Sequence, residues 1–425
     1  MYSIEHGEPE SDSDPDHVSV AVRTAIAGTV GVSSGVRATS IRAYPRLLRV
    51  LGLTISGCTF TAPAAVPDDG GVVDGTDSNR LDSSIDTSAD AFDDKCFGSG
   101  DYLLCLPQVP AGDVALDAGG LDTTSCTRAG ASVEMIGATS VCVIDGANLA
   151  ITNTVGVFGQ RPLVLVATGT ITIATGAVLD AASLLGNPGP GANSAACTTT
   201  GIDGAVGGDG GGGGAGGSFG SQGGGGGAGV VAGGIAAPVA ATPVTALRGG
   251  CRGGVGSAGV VAAPGGDGGG AVYLVARGAI IVNGRITASG AGGAGGVFSS
   301  GGGSGAGSGG MIVFHAGTLT VSGTGRIVAN GGGGGASASK AASGQSGANP
   351  DPSQPPVPAP GGPASITTAS GGNGATKAIG ATNGGVNLSG FGGAGGGGGG
   401  GGVGVIRVLA GGTIPGDAVS PVPTS

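Results

Sequence analysis

The sequence predicts an all-β chain, an irregular parallel β-helix or solenoid of about four to five coils with long glycine-rich inserts. Three observations lead there. Glycine occupies 102 of the 425 positions. Trp is absent and there are only 4 Tyr and 8 Phe, so ordinary aromatic-filled cores are excluded. Short β-branched runs, punctuated by Gly at fixed offsets, recur from about residue 141 to residue 414. Collagen is excluded as well, because glycine keeps no strict third-residue period and Pro numbers only 23.

Residues 1–35 stand ahead of an export signal and are expected to be a non-translated or disordered extension, with translation starting near Val36. Residues 36–57 read as the signal: Arg42, Arg46 and Arg49, then the apolar run from Val50, then small residues before Cys58. Ile55-Ser56-Gly57-Cys58 resembles the lipobox of bacterial lipoproteins, which implies cleavage before Cys58 and lipidation of its thiol. By the same resemblance, Thr59 rather than Asp after the Cys implies outer-membrane sorting.

The formal net charge of −10 is concentrated in 58–95, which runs from Asp68 to Asp94 through many acids against only Arg80 and Lys95. Too little apolar surface is present there to offset ordering entropy, so the segment reads as a disordered acidic tether. The rest of the chain is near neutral. No basic patch interleaved with aromatics occurs, which argues against a nucleic-acid partner.

Seven cysteines become six once Cys58 takes lipid. Cys96, Cys105, Cys126, Cys142, Cys197 and Cys251 can then form three disulfides in an oxidising compartment. Fifteen pairings are open, and sequential pairing is the working expectation.

The body spans 96–415, followed by 416–425 as a disordered tail. Leu163 to Val178, Val272 to Gly290 and Ile312 to Gly331 align with one another. Val405 to Ile414 is a truncated copy, and Val141 to Thr152 a weaker leading one. One coil cannot bury its own apolar face, so copies must stack. Alternation puts Leu163/Leu165, Val272/Leu274, Ile312/Phe314 and Ile406/Val408 on one face. Val164/Val166, Tyr273/Val275, Val313/His315 and Arg407/Leu409 fall on the other.

That second face is too apolar to stand in water. The inserts 203–270, 290–310 and 331–404 read by default as flexible linker. They are also the only abundant material to cover that face, as extended chains packed closely for want of a Cβ. The Pro-rich stretch 349–363 reads as an irregular loop.

The lipobox, acidic tether, early cysteines and the runs Gly269 to Leu274 and Gly284 to Gly290 together resemble uncharacterised glycine-rich lipoproteins of myxobacteria and their relatives. The likeness covers roughly residues 96–415 and implies no activity. Similarity to the glycine-rich PGRS proteins of mycobacteria is compositional only, since that family's N-terminal domain is missing.

Chemistry is sparse. His315 is the one histidine after Cys58, lies among Val313, Phe314 and Ala316, and lacks the context of a nucleophile–base pair. No cofactor site is expected: chance Gly-x-Gly-x-x-Gly matches lack a following Gly-Lys-Ser/Thr. No metal site is expected either, because Asp209 and Asp267 do not recur at the spacing of a calcium β-roll. Asp180, Asp203, Asp351 and Asp417 are scattered singly. Arg285 and Arg326 recur at one repeat position and are candidates for a small ladder toward an anionic glycan.

The expectation is a non-enzymatic structural or adhesive protein, lipid-anchored at the outer membrane or cell surface and facing cell-surface polysaccharide. The alternative is a carbohydrate-active β-helix enzyme, a polysaccharide lyase or hydrolase acting on extracellular glycan through wall carboxylates.

Overall fold

The computed structural model describes residues 94–425 except 129, 199, 241–243, 258–261, 298 and 388–392. The signal, Cys58 and nearly all of the tether therefore lie outside the described residues. Within them the chain is all-β, with no α-helix. In chain order the strands begin with β1 (Cys96–Phe97), β2 (Leu104–Cys105), β3 (Asp113–Leu116), β4 (Gly119–Asp122) and β5 (Ala131–Ile136). Next come β6 (Thr139–Gly146), β7 (Asn148–Ile151), β8 (Thr154–Phe158), β9 (Leu163–Ala167), β10 (Ile171–Ile173) and β11 (Val178–Asp180). The last are β12 (Ala271–Val282), β13 (Arg285–Thr287), β14 (Met311–Val321), β15 (Arg326–Val328), β16 (Val405–Ala410) and β17 (Val419–Ser420).

The aligned repeats pair with one another in register. A first ladder runs β6–β9–β12–β14–β16, all parallel, with Cys142, Leu163, Val272, Ile312 and Ile406 in one row. A second runs β3–β7–β10 onto the later part of β12 and then β14, with Leu149, Ile171, Ile280 and Leu319 in a row. A third runs β4–β8–β11–β13–β15–β17. The sheet holding the first two ladders is mixed, not purely parallel, because β5 pairs antiparallel with β6. Ile136 faces Thr139 across a two-residue turn that begins at Gly137, whose φ of +56° lies where glycine is favoured. A turn that short can join only antiparallel strands.

The period-two alternation places side chains as the sequence indicates. Leu163, Leu165, Val272, Leu274, Ile312, Phe314 and Ile406 share one core with Leu149, Ile173, Leu179, Ile286 and Ile327 of the other ladders. The opposite face of the first ladder is also buried: Val164, Val166, Tyr273, Val275, Met311 and Val313 form a second core. Its cover comes from Phe97, Tyr102, Leu104 and Leu106 near β1 and β2, and from Phe219, Val244 and Leu247 of the first insert. The Tyr102 hydroxyl donates to the Val244 carbonyl at 2.7 Å, which ties that insert to the sheet.

Tyr273 is fully buried, yet its hydroxyl makes no hydrogen bond. Burial pushes its pKa far above the usual range, with Tyr102 adding to the effect. An unmatched buried hydroxyl costs stability, so Tyr273→Phe is expected to raise stability by about 1 kcal/mol. Urea unfolding of the two proteins checks this, and a loss on substitution would show that the hydroxyl has a partner.

The inserts are packed. Gly396, Gly399 and Gly402 donate to the carbonyls of Gly211, Gly214 and Gly217, each at 2.9 Å. Gly214 and Gly217 donate in turn to Gly303 and Ala306, both at 2.9 Å. Gly303, Ala306 and Gly309 close the circuit onto Gly396, Gly399 and Gly402 at 2.8–3.0 Å. Three parallel chains thus bond cyclically with a three-residue repeat, the period of a polyproline-II helix.

The residues between use the remaining directions. Gly398 and Gly401 donate to Gly335 and Gly332, and Gly397 and Gly400 to Gly385 and Thr382. A collagen chain is crowded only at its axis and needs glycine at every third residue. A chain with neighbours on all sides is crowded at every residue, which explains glycine runs without a G-X-Y period. A methyl group on Gly213, Gly305 or Gly398 would collide with the carbonyl oxygen of Gly397, Ala215 or Ser304. None of these three has a left-handed φ, so it is close approach that demands glycine there.

Residues 416–425 are ordered, contrary to the tail expected. Val419 is buried and pairs through β17 with β15. Thr424 lies along β16, donating to Ile406 O at 2.8 Å and accepting from Val408 N at 2.9 Å. β15 and β16 would otherwise present open edges, and this short segment covers them.

Candidate functional site

Among the described residues three disulfides pair sequentially: Cys96–Cys105, Cys126–Cys142 and Cys197–Cys251. The first closes the β1–β2 hairpin. The second joins the turn before β5 to β6. The third ties the start of the glycine region to one of its chains.

Arg285 and Arg326 are direct register partners on β13 and β15. Arg326 donates to the Gly325 carbonyl at 2.7 Å. Arg285 lies close enough to Asp351 to act on its charge. Hydrogen bonds from Ser353 and Gln354, with the charge of Arg285, hold the Asp351 carboxyl below the usual carboxylate range. The two arginines thus sit at neighbouring backbone positions, and the proline-rich loop brings a counter-charge to Arg285.

The remaining acids are held in separate local settings. Asp180, at the end of β11, accepts from Ala182 N at 3.1 Å, and burial pushes its carboxyl up. Asp203 accepts from Val255 N at 2.7 Å. Asp209 is exposed and pairs with Lys340 at 3.6 Å. Asp417 lines a cavity of about 180 Å³ together with Arg326. Asp267 is fully buried, and its carboxylate accepts from Gly186 N at 2.9 Å, Asn193 Nδ2 at 2.8 Å and Arg252 Nε at 3.0 Å. Its oxygens are used in tying three chain segments together, which leaves little for an ion.

Two features have no counterpart in the sequence reading. The first is a cleft of about 410 Å³ lined by Asp94, Phe97, Arg277 and His315, among others. Arg277 pairs with Asp94 at 3.1 Å and stacks 4.7 Å from the centre of the Phe97 ring. His315 Nδ1 is buried there without a hydrogen bond, and desolvation lowers its pKa, which favours the neutral imidazole. Asp94 reads from sequence as the end of the tether, so no local signal linked it to Arg277 and His315.

The second is an apolar edge of the glycine region. Ile202, Val206, Val230 and Ile235 are all more than half exposed. They lie on adjoining chains, since Ala205 N donates to Ala232 O at 3.0 Å. Contiguous exposed apolar side chains of this kind mark contact surfaces.

Comparison of the chain with protein-family models, curated proteins and solved structures gives no match.

Proposed function

We propose that the chain is a surface-anchored structural or adhesive protein without catalytic activity, its ladders winding as an irregular parallel β-solenoid of about four to five coils. The parallel registers between successive repeats support the winding. One observation carries the role: the glycine chains are buried and cross-bonded into a slab with almost no functional side chains. Such a slab can hold a shape and present an edge. The apolar edge at Ile202, Val206, Val230 and Ile235 suits adhesion, and the Arg285–Arg326 pair offers a place for an anionic glycan.

On this reading Cys58 carries lipid at the outer membrane, and 58–95 spaces the body from the bilayer. Expressed from its own signal in a Gram-negative host, the protein is expected in the membrane fraction, and Cys58→Ala is expected to move it to the soluble fraction. An unchanged distribution would overturn the anchor.

A further inference from the structure

The sulfur atoms of Cys197 and Cys251 are both 3.5 Å from Arg248 Nη1. The guanidinium lies 4.4 Å from the centre of the Phe219 ring, and among the described residues no carboxylate forms a salt bridge with it. A half-buried cation placed on sulfur stabilises a thiolate more than a thiol. The two sulfurs are not equivalent. Cys251 is fully buried, whereas Cys197 is partly accessible between the exposed Ala196 and Thr198.

We infer that Cys197–Cys251 is a thiol–disulfide exchange site whose substrate is an external thiolate. The incoming sulfur attacks Cys197 Sγ from the accessible side and bonds to it. The Cys197–Cys251 bond breaks, and its electron pair goes to Cys251 Sγ, which leaves as a thiolate beside Arg248. A monothiol stops at a mixed disulfide on Cys197. A dithiol continues: its second thiolate attacks the mixed disulfide, forms the oxidised reagent and leaves Cys197 reduced. The surrounding chains stay joined through Asn193 N to Gly250 O at 3.0 Å and Gly201 N to Arg252 O at 2.9 Å. The bond can therefore open without dissolving the lattice, and Cys197 can carry a covalently attached thiol partner.

The test is a time course of purified full-length protein with limiting glutathione at pH 7. Samples are quenched with N-ethylmaleimide, and each cysteine is quantified by peptide mass spectrometry. Glutathione is expected on Cys197 and maleimide on Cys251, well before either label reaches the buried Cys126–Cys142 pair. Arg248→Gln is expected to slow opening of this pair about tenfold while Cys96–Cys105 opens as before, and Arg248→Lys to restore most of the rate. Glutathione on Cys251, opening no faster than Cys126–Cys142, or equal rates in native protein and Arg248→Gln would each overturn the site. The first two readings use native protein, so they hold even if a variant fails to fold.

Discussion

Gly398→Ala is expected to prevent the glycine lattice from closing and to cost about 3 kcal/mol or more. The added methyl group would meet the Ser304 carbonyl oxygen, which is backbone of a neighbouring chain and cannot swing aside. Gly398 N also donates to Gly335 O at 2.8 Å, so relief by moving one chain breaks bonds to another. The matched control is Gly380→Ala. No atom lies within 4 Å of a Cβ there, and its φ is not left-handed. Reduced freedom of the unfolded chain should make that variant more stable by about 0.4–1 kcal/mol. Denaturant unfolding of the two variants beside the native protein measures both effects. Equal stability of Gly398→Ala and native protein would mean that the inserts are loose linkers after all.

Asp267→Ala carries the second large effect, a loss of about 3 kcal/mol. The substitution strands the Asn193 amide and the Gly186 N–H, both hydrogen-bonded to a fully buried carboxylate. It also removes the anion facing Arg252, although that guanidinium is half exposed and can turn to water. Asn193 Oδ1 in turn accepts from Gly268 N at 3.0 Å, so the damage reaches the chain entering β12. Thermal and urea unfolding report the loss. Added calcium should leave the native protein's stability unchanged, and a calcium-dependent rise in native protein that Asp267→Ala abolishes would reassign the site.

These two residues also show where legibility ends. The alternation of Leu163 and Leu165 against Val164 and Val166 is visible because strand side chains alternate with period two, and the structure places them in separate cores. The register of Arg285 with Arg326 is visible for the same reason: repeats of equal spacing stack residue on residue. Gly398 offers nothing comparable. Its run has no side chain to report a face, and the same composition describes a flexible linker and a bonded lattice.

The strand β17 is not legible in the sequence because it adds to a ladder made by residues far away in the chain, and β5, although it pairs with its neighbour β6, does not repeat the pattern of the aligned copies. The His315 cleft is hidden for a related reason, since Asp94 and Phe97 meet Arg277 and His315 only when the β1–β2 hairpin packs beside the first ladder.

The sequence alone establishes an all-β chain whose repeats stack and whose strands need cover on both faces, because alternating apolar side chains are a local and periodic signal. Only the tertiary structure decides that glycine is that cover's neighbour and wall, that Asp267 is a structural tie, and that Arg248 lies on the Cys197–Cys251 bond. Each of these depends on backbone or charge meeting a partner from a distant segment, and such partners leave no mark on the residues beside them in the chain.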